Sequence, residues 1–126
     1  MRLIIRRFFD AAHQLPDSND LITKACARLH GHTYLVEVEI EGQNSRMGMV
    51  VDFKEVKNII DILDHRFINE IFEQYEKWKG KPTTAENIGL FLLEQINGNF
   101  DMQNYVCSGI KIWEGYKGDE SSYVQI

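Results

Sequence analysis

His30 and His32 stand on either side of Gly31 in the stretch CARLHGHTY, with Cys26 at its head. In an extended strand, residues two apart project to the same side, so both imidazoles can aim at one point while Gly31 leaves the opposite side uncluttered. His13, at the end of the segment LIIRRFFDAAH, can add a third nitrogen if its strand pairs beside this one. Three neutral imidazoles suit Zn²⁺ and leave its fourth position open, which is the arrangement of catalytic rather than structural zinc. Cys26 can serve such a site as a base, but only as the thiolate, which a nearby cation would favour. An H-x-H pair alone is a weak signal; the combination with His13 and Cys26 carries the reading.

Strands and helices must hold these groups in place. Residues 3–13 read as a strand rich in Ile and Phe with its arginines on a wetted face. Residues 14–28, with Pro16, Asp17, Ser18 and Asn19, have no period and read as a long loop, a kind of segment that is usually functional or disordered. TYLVEVEIEG then alternates, placing Tyr34, Val36, Val38 and Ile40 on one face and Glu37, Glu39 and Glu41 on the other. After the turn GQNSRMG, the run MVVDF reads as a returning strand. Asp52 then caps a helix over residues 53–63, with Glu55 at capping-box spacing and Phe53, Val56, Ile59, Ile60 and Leu63 as its stripe. A second helix covers TTAENIGLFLLEQI, capped by Thr83 with Glu86 and striped by Ile88, Phe91, Leu92 and Ile96. YVCSGIKIWEG and, weakly, SSYVQI are strands. Strands, two helices and strands again imply an α+β layer with the helices on one face of an antiparallel sheet. The open edges of such a sheet favour oligomerisation.

A chain of 126 residues and 14.7 kDa has the size of one domain, residues 1–126. A formal charge of −5 argues against a general nucleic-acid binder but leaves room for a small anionic ligand beside Lys24 and Arg28. The apolar runs are too short to span a membrane, and Arg2, Arg6 and Arg7 interrupt any signal-peptide core, so the expected location is the cytoplasm. Two cysteines make no disulfide framework, and Cys107 reads as core filler.

FFDAAHQL, CARLHGHTY, GMVVDF, LDHRFIN, PTTAEN and IKIWEG, in that order, resemble the 6-pyruvoyl-tetrahydropterin synthase family. The likeness is greatest to its bacterial branch, the 6-carboxy-tetrahydropterin synthases of queuosine biosynthesis, because Cys26 and His30 stand closer together than in the animal pyruvoyl enzymes. The resemblance implies a T-fold, a four-stranded antiparallel sheet with two helices on one face. Three copies would close a barrel and two trimers would stack into a hexamer with active sites between subunits. It implies His13, His30 and His32 as zinc ligands, Cys26 as the catalytic cysteine assisted by Asp64 and His65, and Glu114 as the carboxylate that anchors a pterin. Thr83 and Thr84 would lie near the pterin pocket, with Lys24 and Arg28 as candidate triphosphate contacts. Asp64 would orient His65 across a subunit boundary, since adjacent side chains rarely face one another. The implied substrate is 7,8-dihydroneopterin triphosphate. The chain departs from the family at Gly115, where a threonine is usual, and in its tail GYKGDESSYVQI.

Overall fold

The computed structural model describes residues 1–17, 24–45, 47–99 and 104–126. Residues 18–23 of the expected loop and Arg46 of the expected turn lie outside the described residues. Strand β1, Arg2–His13, pairs antiparallel with β2, His30–Gly42, in a register that sets His13 opposite His30 and Ala11 opposite His32. On its other side β2 pairs antiparallel with β4, Tyr105–Glu114, with Tyr34 opposite Glu114. Two-residue strands complete the sheet: β3, Arg66–Phe67, runs parallel to β1, and β5, Val124–Gln125, antiparallel to β4. The strand order is β3-β1-β2-β4-β5.

The expected alternation in β2 is realised: Tyr34, Val36, Val38 and Ile40 are all fully buried. They face α1, Phe53–Ile60, α2, Ile68–Glu73, and α3, Ala85–Asn99. In α3 the predicted stripe Ile88, Phe91, Leu92 and Ile96 is at 0% exposure throughout. Each such side chain contributes about 1.5–3 kcal/mol of burial. The α1 stripe holds except at its start, where Phe53 is 54% exposed.

Among the described residues the expected four-stranded antiparallel sheet with two helices is instead a five-stranded mixed sheet with three. MVVDF is not a strand: Val50 and Val51 are buried, but the segment bends between β2 and α1 and pairs with no strand among the described residues. The α1 helix stops at Ile60, and residues 61–64 continue in tighter i→i−3 bonds, such as Asp64 N–H to Asp61 O at 3.1 Å. Only Arg2 and Arg6 of β1 lie on the wetted face. Arg7 points to the helices, where its guanidinium donates to both Asp61 carboxylate oxygens at 2.9 and 2.8 Å and ties β1 to the end of α1. On the opposite face Arg6 and Lys111 flank Glu37 at 2.8 and 3.7 Å. No described helix is long and apolar enough to cross a membrane.

Gly115 adopts φ +78°, a left-handed conformation that strains a β-branched threonine. Its N–H donates to Thr33 O at 3.0 Å, and the tail returns so that Ile126 exchanges backbone bonds with Ile110 at 2.8 and 3.3 Å.

Candidate metal centre and active site

The β1–β2 register brings the three predicted histidines together. Ring centroids of His13 and His30 are 4.5 Å apart, those of His30 and His32 4.8 Å, and those of His13 and His32 5.2 Å. His13 Nδ1–H donates to the Thr83 carbonyl at 2.7 Å and His30 Nδ1–H to the Arg28 carbonyl at 2.6 Å. A carbonyl can only accept, so in the neutral rings both protons sit on Nδ1 and both Nε2 lone pairs are free. Backbone carbonyls behind metal-ligating histidines act in this way.

Glu114, at the end of β4, joins the group: its Oε1 lies 3.0 Å from His13 Nε2 and 3.0 Å from His32 Nε2. One ligand atom from each of His13, His30, His32 and Glu114 falls within 4.8 Å of every other. His13 Nε2 is buried and, with Glu114 Oε1 3.0 Å away, still has no hydrogen-bond partner among the described residues. An orphaned buried nitrogen among convergent imidazoles is what a divalent cation satisfies, so the donor set fits one. Burial works to lower His13, but the Glu114 carboxylate and the Thr83 carbonyl outweigh it and hold the ring above its ordinary pKa. His32 lies lower, chiefly through burial, with His13 and His30 adding to the effect against the pull of Glu114. The contact with His13 holds the Glu114 carboxyl below its usual range against the opposing effect of burial. The Tyr34 hydroxyl is buried with no hydrogen-bond partner among the described residues, and burial, with the nearby Glu114 carboxylate, keeps it protonated.

Asp64 and His65 form a second group, with Asp10. The expectation that these neighbours cannot face one another is corrected: His65 Nδ1 lies 3.0 Å from Asp64 Oδ2. His65 has φ +57°, and this left-handed turn brings consecutive side chains to the same side. Asp10 grips the turn from both sides, its N–H donating to Asp64 Oδ1 at 3.0 Å and its carbonyl accepting from His65 N–H at 2.6 Å. The Asp10 N–H bond is the main reason the Asp64 carboxyl lies below its usual range. Thr33 Oγ1 donates to Asp10 Oδ1 in turn. Strand alternation sends the Asp10 and Thr33 side chains to the sheet face opposite His13 and His32. A groove of about 590 Å³ runs along Asp10, Thr33 and His65 and reaches His32.

Cys26 lies on a 3-10 turn, Lys24–Ala27, half-buried, and its thiol is not among the ligand atoms of the histidine cluster. Leu15 N–H donates to Cys26 O at 2.9 Å and Gln14 Nε2 to Ala27 O at 2.7 Å, which draws this turn against the end of β1. The Lys24 and Arg28 side chains are exposed, and Arg28 serves the site through its carbonyl. Thr83 is fully buried rather than a cap. Thr84 caps α3, its Oγ1 accepting from Asn87 N–H at 3.3 Å, because the helix begins at Ala85.

Three contributors escaped the sequence reading. Asp10 and Thr33 clamp the Asp64–His65 turn. Asn69 clamps the end of β1 by accepting from Gln14 N–H at 3.0 Å and donating to Gln14 O at 2.8 Å, while Thr83 Oγ1 donates to it at 3.3 Å. The only signal was polarity inside apolar runs: Asp10 in FFDAA and Asn69 in FINEIF.

The two thiols differ in a way that can be measured. Cys107 is buried, and burial pushes its thiol up to about 11, so it carries almost no thiolate near neutrality. A titration with an aromatic disulfide at about pH 8 is expected to modify Cys26 in the native chain and Cys107 only after unfolding. Fast reaction of Cys107 in the native chain would contradict this burial.

The 6-pyruvoyl tetrahydropterin synthase family model matches residues 2–124. A 6-carboxy-5,6,7,8-tetrahydropterin synthase of Haemophilus influenzae is 34% identical over 129 residues, covering 84% of this chain and 86% of that one. A dihydroneopterin monophosphate aldolase of Pyrococcus furiosus is 36% identical over 118 residues, covering 90% of each. Among solved structures, the 6-pyruvoyl tetrahydropterin synthase of Caenorhabditis elegans superposes with a TM-score of 0.71 at 23% identity, over 100% of this chain and 95% of that one, a likeness of fold.

Proposed function

The chain belongs to the 6-pyruvoyl tetrahydropterin synthase family, and from that premise we propose that it is a zinc-dependent carbon–carbon lyase. Its substrates are 7,8-dihydroneopterin triphosphate and water and its products are 6-carboxy-5,6,7,8-tetrahydropterin, acetaldehyde and triphosphate, a step toward queuosine. The observation that carries this reading is the convergence of His13, His30 and His32 with Glu114 at the mouth of the sheet.

His13, His30 and His32 hold the cation, with two of the rings locked by backbone carbonyls. Bound Zn²⁺ supplies Lewis-acid polarisation of the substrate's side-chain oxygens and acidifies the adjacent C–H groups. Cys26, as thiolate, takes a proton from carbon. His65, oriented by Asp64, relays protons. Glu114 offers two oxygens to the amino and ring N–H donors of the pterin. Thr83 and Thr84 border the ring, and Lys24 and Arg28 meet the triphosphate. On its outer side β1 pairs with β3 at Ala11 and Ala12 and bonds the Asp64–His65 turn at Asp10, and among the described residues no strand pairs with the edge before Asp10, which can join another copy. Closure into trimers and a hexamer of two trimers would use that edge.

The relative from Pyrococcus furiosus favours a second reading, aldol cleavage of a dihydroneopterin monophosphate. One assay separates the two: purified protein loaded with zinc is given the triphosphate and, separately, the monophosphate. Acetaldehyde with free triphosphate supports the lyase proposed here. A phosphorylated two-carbon aldehyde supports the aldolase, and triphosphate without any aldehyde the pyruvoyl-forming elimination. No turnover of either compound, with Cys26→Ala behaving like the parent, would make the chain a metal- or pterin-binding module.

A further inference from the structure

Glu114 is asked to hold the pterin, yet its Oε1 rests 3.0 Å from two imidazole nitrogens. For His13 the contact has a definite character. Its Nδ1 proton is committed to Thr83 O, so in the neutral ring Nε2 presents a lone pair, and the carboxylate presents another. Two lone pairs at that separation repel unless a proton or a metal cation lies between them, and among the described residues no hydrogen bond joins this nitrogen to the carboxylate. Bonds of about 2.0–2.1 Å from zinc to nitrogen and oxygen set the edges of a tetrahedron at about 3.3 Å. The separations of 3.0 Å are close to such an edge.

We propose that Glu114 is a displaceable fourth ligand that closes the metal site at rest, and that substrate opens the site by drawing this carboxylate onto the pterin ring. The proposal rests on the reading of His13, His30 and His32 as the metal's permanent ligands. With four protein ligands the centre has the closed coordination of a structural zinc, and with three it has the open coordination of a catalytic one. The side chains are suited to unequal roles. His13 is wholly buried and pinned by Thr83, whereas the Glu114 side chain is 34% exposed and ends its strand. One carboxylate cannot serve metal and pterin with the same oxygens, so ring binding vacates the metal as the substrate's side chain arrives. The cation is thereby shielded from water and stray anions until a pterin is in place.

The test uses the full chain loaded with Co²⁺, whose visible spectrum reports coordination number, and the variants Glu114→Gln and Glu114→Asp. Glu114→Gln is expected to weaken Co²⁺ binding by about 10- to 100-fold in competition with a chelator. It should also bind azide at concentrations that leave the parent spectrum unchanged. Adding 6-methyl-7,8-dihydropterin, which has the ring but no side-chain oxygens, should shift the parent spectrum and leave that of Glu114→Gln unmoved. Glu114→Asp, which keeps a shorter carboxylate, serves as the conservative variant and should fall between the two. Equal affinity, spectrum and azide response in the parent and Glu114→Gln would overturn the proposal. His13→Ala separates the two levels: if it loses cobalt while Glu114→Gln does not, only the fourth-ligand role fails, and if it keeps cobalt, the metal centre itself fails.

Discussion

His13→Ala is expected to release the metal and reduce turnover by at least about a thousandfold, because Lewis-acid stabilisation is worth several kcal/mol and each 1.36 kcal/mol is tenfold in rate. Of the three histidines this one is the least replaceable, being fully buried with its Nδ1–H bonded to Thr83 O at 2.7 Å. Removing the ring also leaves a buried carbonyl without its donor, a loss of about 1–3 kcal/mol in stability. His32→Ala isolates the chemical effect, since its side chain is 29% exposed and, among the described residues, bonds no backbone carbonyl that its loss would orphan. Both variants should lose metal by elemental analysis after dialysis, but only His13→Ala should show a markedly lower melting temperature. Full activity in either variant, or in the parent chain after metal removal, would remove the basis of the proposed mechanism.

What the sequence made legible follows from the length of its signals. The alternation of β2 and the stripe of α3 extend over 13 and 15 residues, long enough for a period to declare itself, and both bury the expected side chains. The histidine cluster was legible because H-x-H sends two imidazoles to one side by local geometry alone. Strand β3 and helix α2 have two and six residues, too few for a period, and were missed. MVVDF failed for another reason: a short β-branched run is equally the mark of a buried bend, and only tertiary partners decide between them. Arg7 shows the same limit in charge, since an arginine read as wetted reaches into the helical layer to meet Asp61. The Glu114–histidine contact depends on a register between β2 and β4 that no local pattern encodes. The facing of Asp64 and His65 depends on one left-handed residue that is not glycine.

Cys26→Ala and His65→Ala should each retain metal and fold while losing about 10²- to 10⁴-fold in turnover, the range of a positioned acid or base. Neither side chain belongs to the histidine cluster, which explains why loss of rate and loss of metal should separate here as they do not for His13. Mixing the two inactive variants tests how the site is assembled. Within one chain Asp10 and Thr33, which hold the Asp64–His65 turn, project to the sheet face opposite His13 and His32. The groove beside His65 nevertheless reaches His32, so both arrangements can be framed geometrically. If His65 serves the metal of its own chain, every site in a mixed oligomer carries one lesion and activity stays at the level of the single variants. If His65 serves a neighbour, random reassembly of equal amounts gives about a quarter of the sites an intact Cys26 and an intact His65. The placement of Asp10 and Thr33 predicts the second outcome: co-refolded variants should recover about a quarter of parental turnover, while variants mixed without reassembly remain inactive.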